Sequence, residues 1–176
     1  MLTVGIFLIV SCQNDDNEKN ITEKNTTEFV EYFNFEIDGV NFAVNDSDHI
    51  AGTVYPSDET GVINFDFFGE IPAISSEENV YRGVFFKVCF YDGPGTYYTG
   101  TDETISWAFN WTDSEIWENH YNYENEPGIV IITSANNSFV EGTFEYEGYN
   151  PNLETETLVK GNFGLKLETP EDYIKM

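Results

Sequence analysis

The fold is decided by residues 33–44, FNFEIDGVNFAV, which alternate apolar and polar side chains on both sides of an Asp-Gly pair. Phe33 and Phe35 share one face of an extended segment, because successive side chains of a strand point to opposite sides. Asp38 and Gly39 suit the positive φ values of a tight type I′ turn. We therefore predict a β-hairpin over this stretch.

The same alternation recurs along most of the chain and predicts an all-β protein. Aromatic residues make up 16% of the chain, and apolar residues recur with the period of a strand instead of that of a helix. Eight further strands are expected between clusters of Gly, Pro, Asn and Asp. They are residues 50–55, 62–68, 83–91, 96–99, 104–111, 128–133, 139–146 and 158–167. About ten such strands predict a meander-rich antiparallel β-sandwich or flattened barrel, and periodicity does not choose between the two.

The N-terminal region has the composition of a processing segment followed by a flexible tether. A short apolar run ends at Ile9-Val10-Ser11-Cys12, and it is far shorter than the roughly 20 residues that a membrane-spanning helix needs. Residues 13–28 are almost entirely polar and cannot bury enough surface to offset the entropy lost on ordering. A buried N-terminal strand that contains a cysteine is the alternative. The expected organisation is a signal peptide over 1–11, an acidic tether over 12–28, one all-β domain over 29–168 and a tail over 169–176.

The chain is strongly acidic, with a formal net charge of −25 and only seven Lys and Arg residues. A cationic patch of useful size cannot form, so nucleic acid is not an expected partner. The same deficit disfavours strongly anionic polysaccharides. The two cysteines, Cys12 and Cys89, do not make a disulfide framework or a cysteine-based metal site.

No catalytic motif stands out, so we do not expect an enzyme. His49 and His120 are the two histidines, and neither H-E-x-x-H nor G-x-S-x-G occurs in the chain. Cys89 lies within a strand-like run, where an inert buried thiol is expected.

All three tryptophans lie between Ile105 and Trp117. One face of the predicted strand there would carry four apolar side chains: Ile105, Trp107, Phe109 and Trp111. This is the ordinary pattern of core packing, and it needs no ligand. We therefore expect these four residues in the core.

A second aromatic group follows in a polar connection, and it consists of Trp117, His120, Tyr121 and Tyr123. Large amphipathic rings in such segments are often accessible, so the group predicts a sugar-stacking platform. The rings would cover the apolar face of a pyranose, and neighbouring Glu and Asn side chains would hydrogen-bond its hydroxyls. The alternative is a short helical turn that packs Trp117 and Tyr121 on the domain through their i,i+4 spacing.

The run Asn45-Asp46-Ser47-Asp48 places oxygen atoms at alternate positions of a loop, an arrangement that calcium prefers. The turn glycine and the later bidentate glutamate of an EF-hand loop are missing. Two interpretations stay open: a solvated turn stabilised by Asx hydrogen bonds, and a calcium site through Asp46 and Asp48. No other cofactor is expected.

Several motifs resemble those of known lipoproteins. The run that ends at Cys12 resembles the lipobox of bacterial lipoproteins, in which the cysteine becomes the first mature residue and carries a diacylglycerol. Asp15-Asp16 resembles an acidic export signal of Bacteroidetes lipoproteins. Five strand motifs resemble, in order, those of uncharacterised Bacteroidetes lipoproteins: FEIDGVNF (35–42), GTY (95–97), GIVIIT (128–133), VEGTFEY (140–146) and KGNF (160–163). The resemblance implies an outer-membrane lipoprotein that is lipidated at Cys12, has a β-sandwich-like domain and has no established activity.

Together these features predict a non-catalytic protein, held at the cell-surface or periplasmic face of the outer membrane by lipid, that binds a glycan or another small polar ligand. The alternative is a structural or accessory subunit that docks on an outer-membrane protein. A concave aromatic cleft would favour the ligand, whereas a flat aromatic patch would favour contact with a protein.

Overall fold

The structure, a computed structural model, describes residues 29–57, 62–72, 81–101, 106–120 and 126–168. Within these ranges the protein is nearly all β, with eleven strands and one 3-10 turn. The predicted signal peptide, tether and tail, with Cys12, lie outside the described residues. None of the described segments is a helix long and apolar enough to span a membrane.

Eleven strands follow one another along the described segments. They are β1 (Tyr32–Ile37), β2 (Val40–Val44), β3 (Ile50–Pro56), β4 (Ile63–Ile71), β5 (Arg82–Cys89), β6 (Gly95–Thr99), β7 (Trp107–Thr112), β8 (Glu115–Asn119), β9 (Gly128–Ala135), β10 (Phe139–Asn150) and β11 (Thr155–Glu168). The 3-10 turn, η1 (Ser47–His49), precedes β3.

Strands β1 and β2 are the predicted hairpin. Asp38 and Gly39 connect them with φ values of 48° and 84°, which are the positive values that a type I′ turn requires. Phe35 pairs with Phe42 across the two strands, and their ring centroids lie 5.1 Å apart. The hairpin prediction is confirmed.

All eleven strands of the described segments belong to one mixed sheet in the order β2-β1-β11-β3-β4-β5-β7-β8-β10-β9-β6. The pairs are antiparallel except β11 with β3, which run parallel at Leu167 and Glu168. Strand β11 also pairs with β10, so one long strand contacts β1, β3 and β10. The all-β prediction is confirmed, and the strand beyond the expected ten is β8.

The core lies between two parts of this sheet. Phe67 of β4 and Phe86 of β5 come from one part, and Phe144 of β10 and Phe163 of β11 come from the other. The ring centroids of Phe67 and Phe163 are 4.5 Å apart, and those of Phe86 and Phe144 are 4.7 Å apart. The inner faces therefore interdigitate as in a sandwich, and burial of these apolar rings stabilises the fold.

Replacing Phe163 by Ala should lower the free energy of unfolding by about 3–5 kcal/mol, because it leaves a cavity among buried rings. Leu158→Ala is the matched control, since Leu158 lies on the same strand but is 45% exposed; its expected cost is below about 1 kcal/mol. Urea unfolding followed by circular dichroism measures both. Similar losses would contradict the position of the core.

Candidate functional site

Partly exposed aromatic rings form a row on the outer side of β5 and β7. On β7, Ala108 is fully buried, so Trp107, Phe109 and Trp111 point to the opposite, outer face. The prediction that these three rings belong to the core is therefore wrong. The fourth member of that prediction, Ile105, lies outside the described residues.

The rings of β7 point outward because another large side chain fills the core opposite this strand. Tyr146 of β10 is fully buried there, and its hydroxyl donates a hydrogen bond to Oδ1 of Asn110 at 3.3 Å. With this large ring in place, the inward face of β7 carries the small Ala108 and the amide of Asn110. The larger side chains of β7 are consequently turned outward.

The rings of the row contact one another in series. Phe85 of β5 lies 5.2 Å from Phe109 and 5.2 Å from Trp107, measured between ring centroids. Trp107 and Phe109 are 5.4 Å apart at an angle of 14°, and Trp111 continues the row 5.5 Å beyond Phe109. The Phe85–Phe109 and Trp107–Phe109 pairs are stacked, and the Phe85–Trp107 and Phe109–Trp111 pairs are tilted. We call Phe85, Trp107, Phe109 and Trp111 the aromatic face.

The indole of Trp111 lies over Gly83 of β5. A Cβ atom at Gly83 would come within 2.0 Å of the indole, so the absence of a side chain there lets the ring lie against the sheet. The Nε1 atom of Trp111 is buried and has no hydrogen-bond partner among the described residues. Such a group carries a desolvation cost of about 1–3 kcal/mol, so the packing of this ring must compensate for it.

A polar cluster lies at the Trp107 end of the aromatic face. The Tyr55 hydroxyl donates to Oδ2 of Asp66 at 2.8 Å, and Lys87 lies with its Nζ 5.8 Å from the Tyr55 ring centroid. Lys87 is paired with Trp107 across the strands. Burial raises the pKa of the Asp66 carboxyl, although the Tyr55 hydrogen bond and the Lys87 charge act in the opposite direction.

A second polar cluster lies at the Trp111 end. Nδ1 of His49 is 3.3 Å from Oε1 of Glu70, and the Tyr81 hydroxyl donates to Oε2 of the same carboxylate. Burial, together with the hydrogen bond to Glu70 and its charge, raises the pKa of Tyr81 to about 12. The phenol therefore stays a hydrogen-bond donor at neutral pH. Its ring lies 5.8 Å from that of Trp111.

Of the predicted platform, the structure describes Trp117 and His120. Trp117 lies in β8 and faces Asn110 across the β7–β8 pair, on the side opposite the aromatic face. Its Nε1 donates to Oγ1 of Thr155 at 3.0 Å. Both the loop expected at Trp117 and the alternative helical turn are wrong there. His120 directly follows β8, and the remaining members, Tyr121 and Tyr123, lie outside the described residues.

The acidic run before β3 forms a capped turn. Asp46 is the N-cap of η1, and its Oδ1 accepts a hydrogen bond from the backbone N–H of Asp48 at 3.1 Å. This is the Asx hydrogen bond that the sequence offered as one of two interpretations. Within the described segments, no group of three or more His, Cys, Asp or Glu side chains is placed to hold a metal ion.

Cys89 ends β5 beside the first polar cluster and is partly buried. Its backbone N–H donates to Oγ of Ser106 at 2.9 Å. Burial raises the pKa of the Cys89 thiol, although the charge of Lys87 opposes the shift. A raised pKa keeps the thiol protonated and therefore weakly nucleophilic.

Gly83→Ala should displace the Trp111 indole and lower the free energy of unfolding by about 1–3 kcal/mol, because the new methyl overlaps the ring. Gly95→Ala serves as the control, since the nearest atom to a Cβ there is 3.7 Å away. Thermal melts and tryptophan fluorescence measure the two effects. An unchanged emission spectrum in Gly83→Ala would contradict the contact.

Asp66→Asn should gain stability relative to the wild type as the pH rises from below 3.8, the ordinary pKa of Asp. The folded state holds the Asp66 proton more tightly than the unfolded chain, so rising pH favours unfolding of the wild type until the folded pKa is passed. The Asn variant has no carboxyl group at this position, so it does not lose stability in this way as the pH rises. Urea titrations of both proteins at several pH values give the difference, and a pH-independent difference would argue against a raised pKa.

Comparison with known proteins gave no relatives: no family model, no curated protein and no solved structure matches the chain. The chemistry of the aromatic face and its two polar clusters is therefore the basis on which a function can be inferred.

Proposed function

We propose that the protein is a non-catalytic binding module of the bacterial cell envelope that takes a neutral glycan on the aromatic face. The observation that carries this proposal is a row of partly exposed rings with a hydrogen-bonding cluster at each end. Aromatic surface suits the apolar faces of sugar rings, and a few placed polar groups suit their hydroxyls.

The dimensions of the aromatic face support an oligosaccharide. Trp107, Phe109 and Trp111 follow one another along β7 with ring centroids 5.4 and 5.5 Å apart, so the row is at most two such spacings long. This length accommodates more than one sugar ring in line. The rings are held by strands on a packed core, so little ordering is needed when a ligand binds.

The polar clusters support a neutral ligand. Lys87 supplies a donor at one end. The hydroxyl protons of Tyr55 and Tyr81 are donated to Asp66 and Glu70, so the two phenol oxygens and the two carboxylates accept. Hydroxyls both donate and accept, so they match such mixed clusters. A polyanionic glycan would meet a protein of net charge −25, and repulsion would oppose its approach.

The proposal includes a location at the outer membrane. Cys12, at the end of a lipobox-like run, would carry the lipid, and residues 13–28 would span roughly 20 Å as a random coil. This reach would hold the domain just clear of the headgroups. The strand motifs that resemble uncharacterised Bacteroidetes lipoproteins support the same placement at the surface or the periplasmic face.

A second candidate is an accessory subunit that docks on an outer-membrane protein through the same face. The observation that favours it is shape: the aromatic face is the outside of a sheet, and Ile116 of β8 extends it with a side chain that is 46% exposed. Contiguous aromatic surface of this kind is enriched at protein interfaces.

Trp107→Ala should lower the affinity for a neutral oligosaccharide about tenfold or more, which corresponds to roughly 1.4 kcal/mol of lost contact. Trp117→Ala is the matched control, because it removes the same type of ring from the opposite side of the sheet. Isothermal titration calorimetry and tryptophan fluorescence, with a panel of neutral oligosaccharides, measure both variants.

Three results would count against this proposal. Loss of binding in Trp117→Ala with full binding in Trp107→Ala would move the site to β8. Equal loss in both variants would point to a general structural effect. Absence of saturable binding across the panel would show that a neutral glycan is not the ligand. Binding of the domain to outer-membrane proteins would then test the second candidate.

A further inference from the structure

A groove lies on the other part of the sheet, on the outer side of β1, β2, β9, β10 and β11. Its volume is about 870 Å³, within the usual range of ligand sites. None of the residues that line it belongs to the aromatic face. The groove is therefore a separate site, with its own chemistry.

Strand register places the side chains of the groove in two rows that run across the strands. The first row is Asn41, Glu36, Lys160, Glu145 and Ile129, and the second is Ala43, Asn34, Asn162, Thr143 and Ile131. Neighbouring members of a row are about 4.8 Å apart, the spacing between strands. Each row changes from polar to apolar as it passes from β10 to β9.

The first row has one more carboxylate than ammonium group. Nζ of Lys160 is 2.9 Å from Oε1 of Glu36. Glu145 stands opposite Lys160 in register and is exposed, but among the described residues no cation lies within ion-pair distance of it. The alternation of charge thus stops at Glu145, where a cation from a ligand would continue it.

The second row offers a donor and an acceptor beside each other. Nδ2 of Asn34 donates to Oδ1 of Asn162 at 2.9 Å. This bond does not use Oδ1 of Asn34 or Nδ2 of Asn162. A peptide unit has one N–H and one C=O, so it complements this pair of amide groups.

The β9 side of the groove is apolar and open. Ile129 is 39% exposed and Ile131 is 41% exposed, next in register to Glu145 and Thr143. Lys and Arg side chains combine an aliphatic stem with a charged head, and they cover apolar surface while the head stays polar. An aliphatic surface beside an unpaired carboxylate matches that combination.

We propose that this groove binds an extended peptide segment that carries a Lys or Arg side chain. Its backbone pairs with the amides of Asn34 and Asn162, its cationic head lies at Glu145, and its stem covers Ile129. The net charge of −25 draws a cationic segment toward the protein. A neutral glycan would use the amides but would leave Glu145 without a partner.

The test uses a synthetic hexapeptide of alternating Lys and Val with blocked ends, and the same peptide with Glu in place of Lys. Calorimetry at low salt should show saturable binding of the Lys peptide alone. Glu145→Gln should weaken it at least fivefold, and so should Asn162→Ala. Glu154→Gln is the control, because Glu154 lies in the turn between β10 and β11 and does not line the groove.

Each other outcome overturns the proposal in a different way. Equal weakening by Glu145→Gln and Glu154→Gln would show general attraction to an acidic surface. Binding of a neutral oligosaccharide that Asn162→Ala abolishes would assign the groove to a glycan. No saturable binding at millimolar peptide would show that the groove does not bind such a peptide. Trp107→Ala should bind the peptide normally, which separates this site from the aromatic face.

Discussion

The packing of Phe163 against Phe67 holds the two parts of the sheet together, and the rest of the structure depends on it. Phe163 lies on β11, the strand that pairs with β1, β3 and β10, and its ring also approaches those of Phe33, Phe65 and Phe144. A densely packed interior leaves no room for further large rings. The volume available in the core, as well as hydrophobicity, therefore decides which aromatic side chains lie inside.

The position of the aromatic face is a consequence of that limit. Tyr146 and Phe144 occupy the core opposite β5 and β7, with Phe86 against both rings. The rings of β7 then lie outside, where Gly83 provides the space for Trp111. Burial against each other keeps these rings ordered, and partial exposure keeps them available for contact.

The two outer surfaces of the sheet differ in chemistry because the strand register groups different side chains on each of them. Sheet register puts Lys87, Phe85 and Glu70 on one surface, among aromatic neighbours. It puts Asn162 and Glu145 on the other, among amides, charges and exposed isoleucines. One packed core thus supports two faces that suit different ligands, because successive side chains of each strand point in opposite directions.

The sequence by itself determined the all-β class and the β1–β2 hairpin, because these depend on local alternation and on the backbone preferences of Asp and Gly. At Asp46 it left two interpretations open, an Asx-stabilised turn and a calcium site. The tertiary structure decided the rest. It made a strand of the segment at Trp117, turned Trp107 outward and brought both polar clusters to one face. Alternation tells which residues share a face of a strand, but only the packing of distant strands determines which face is buried.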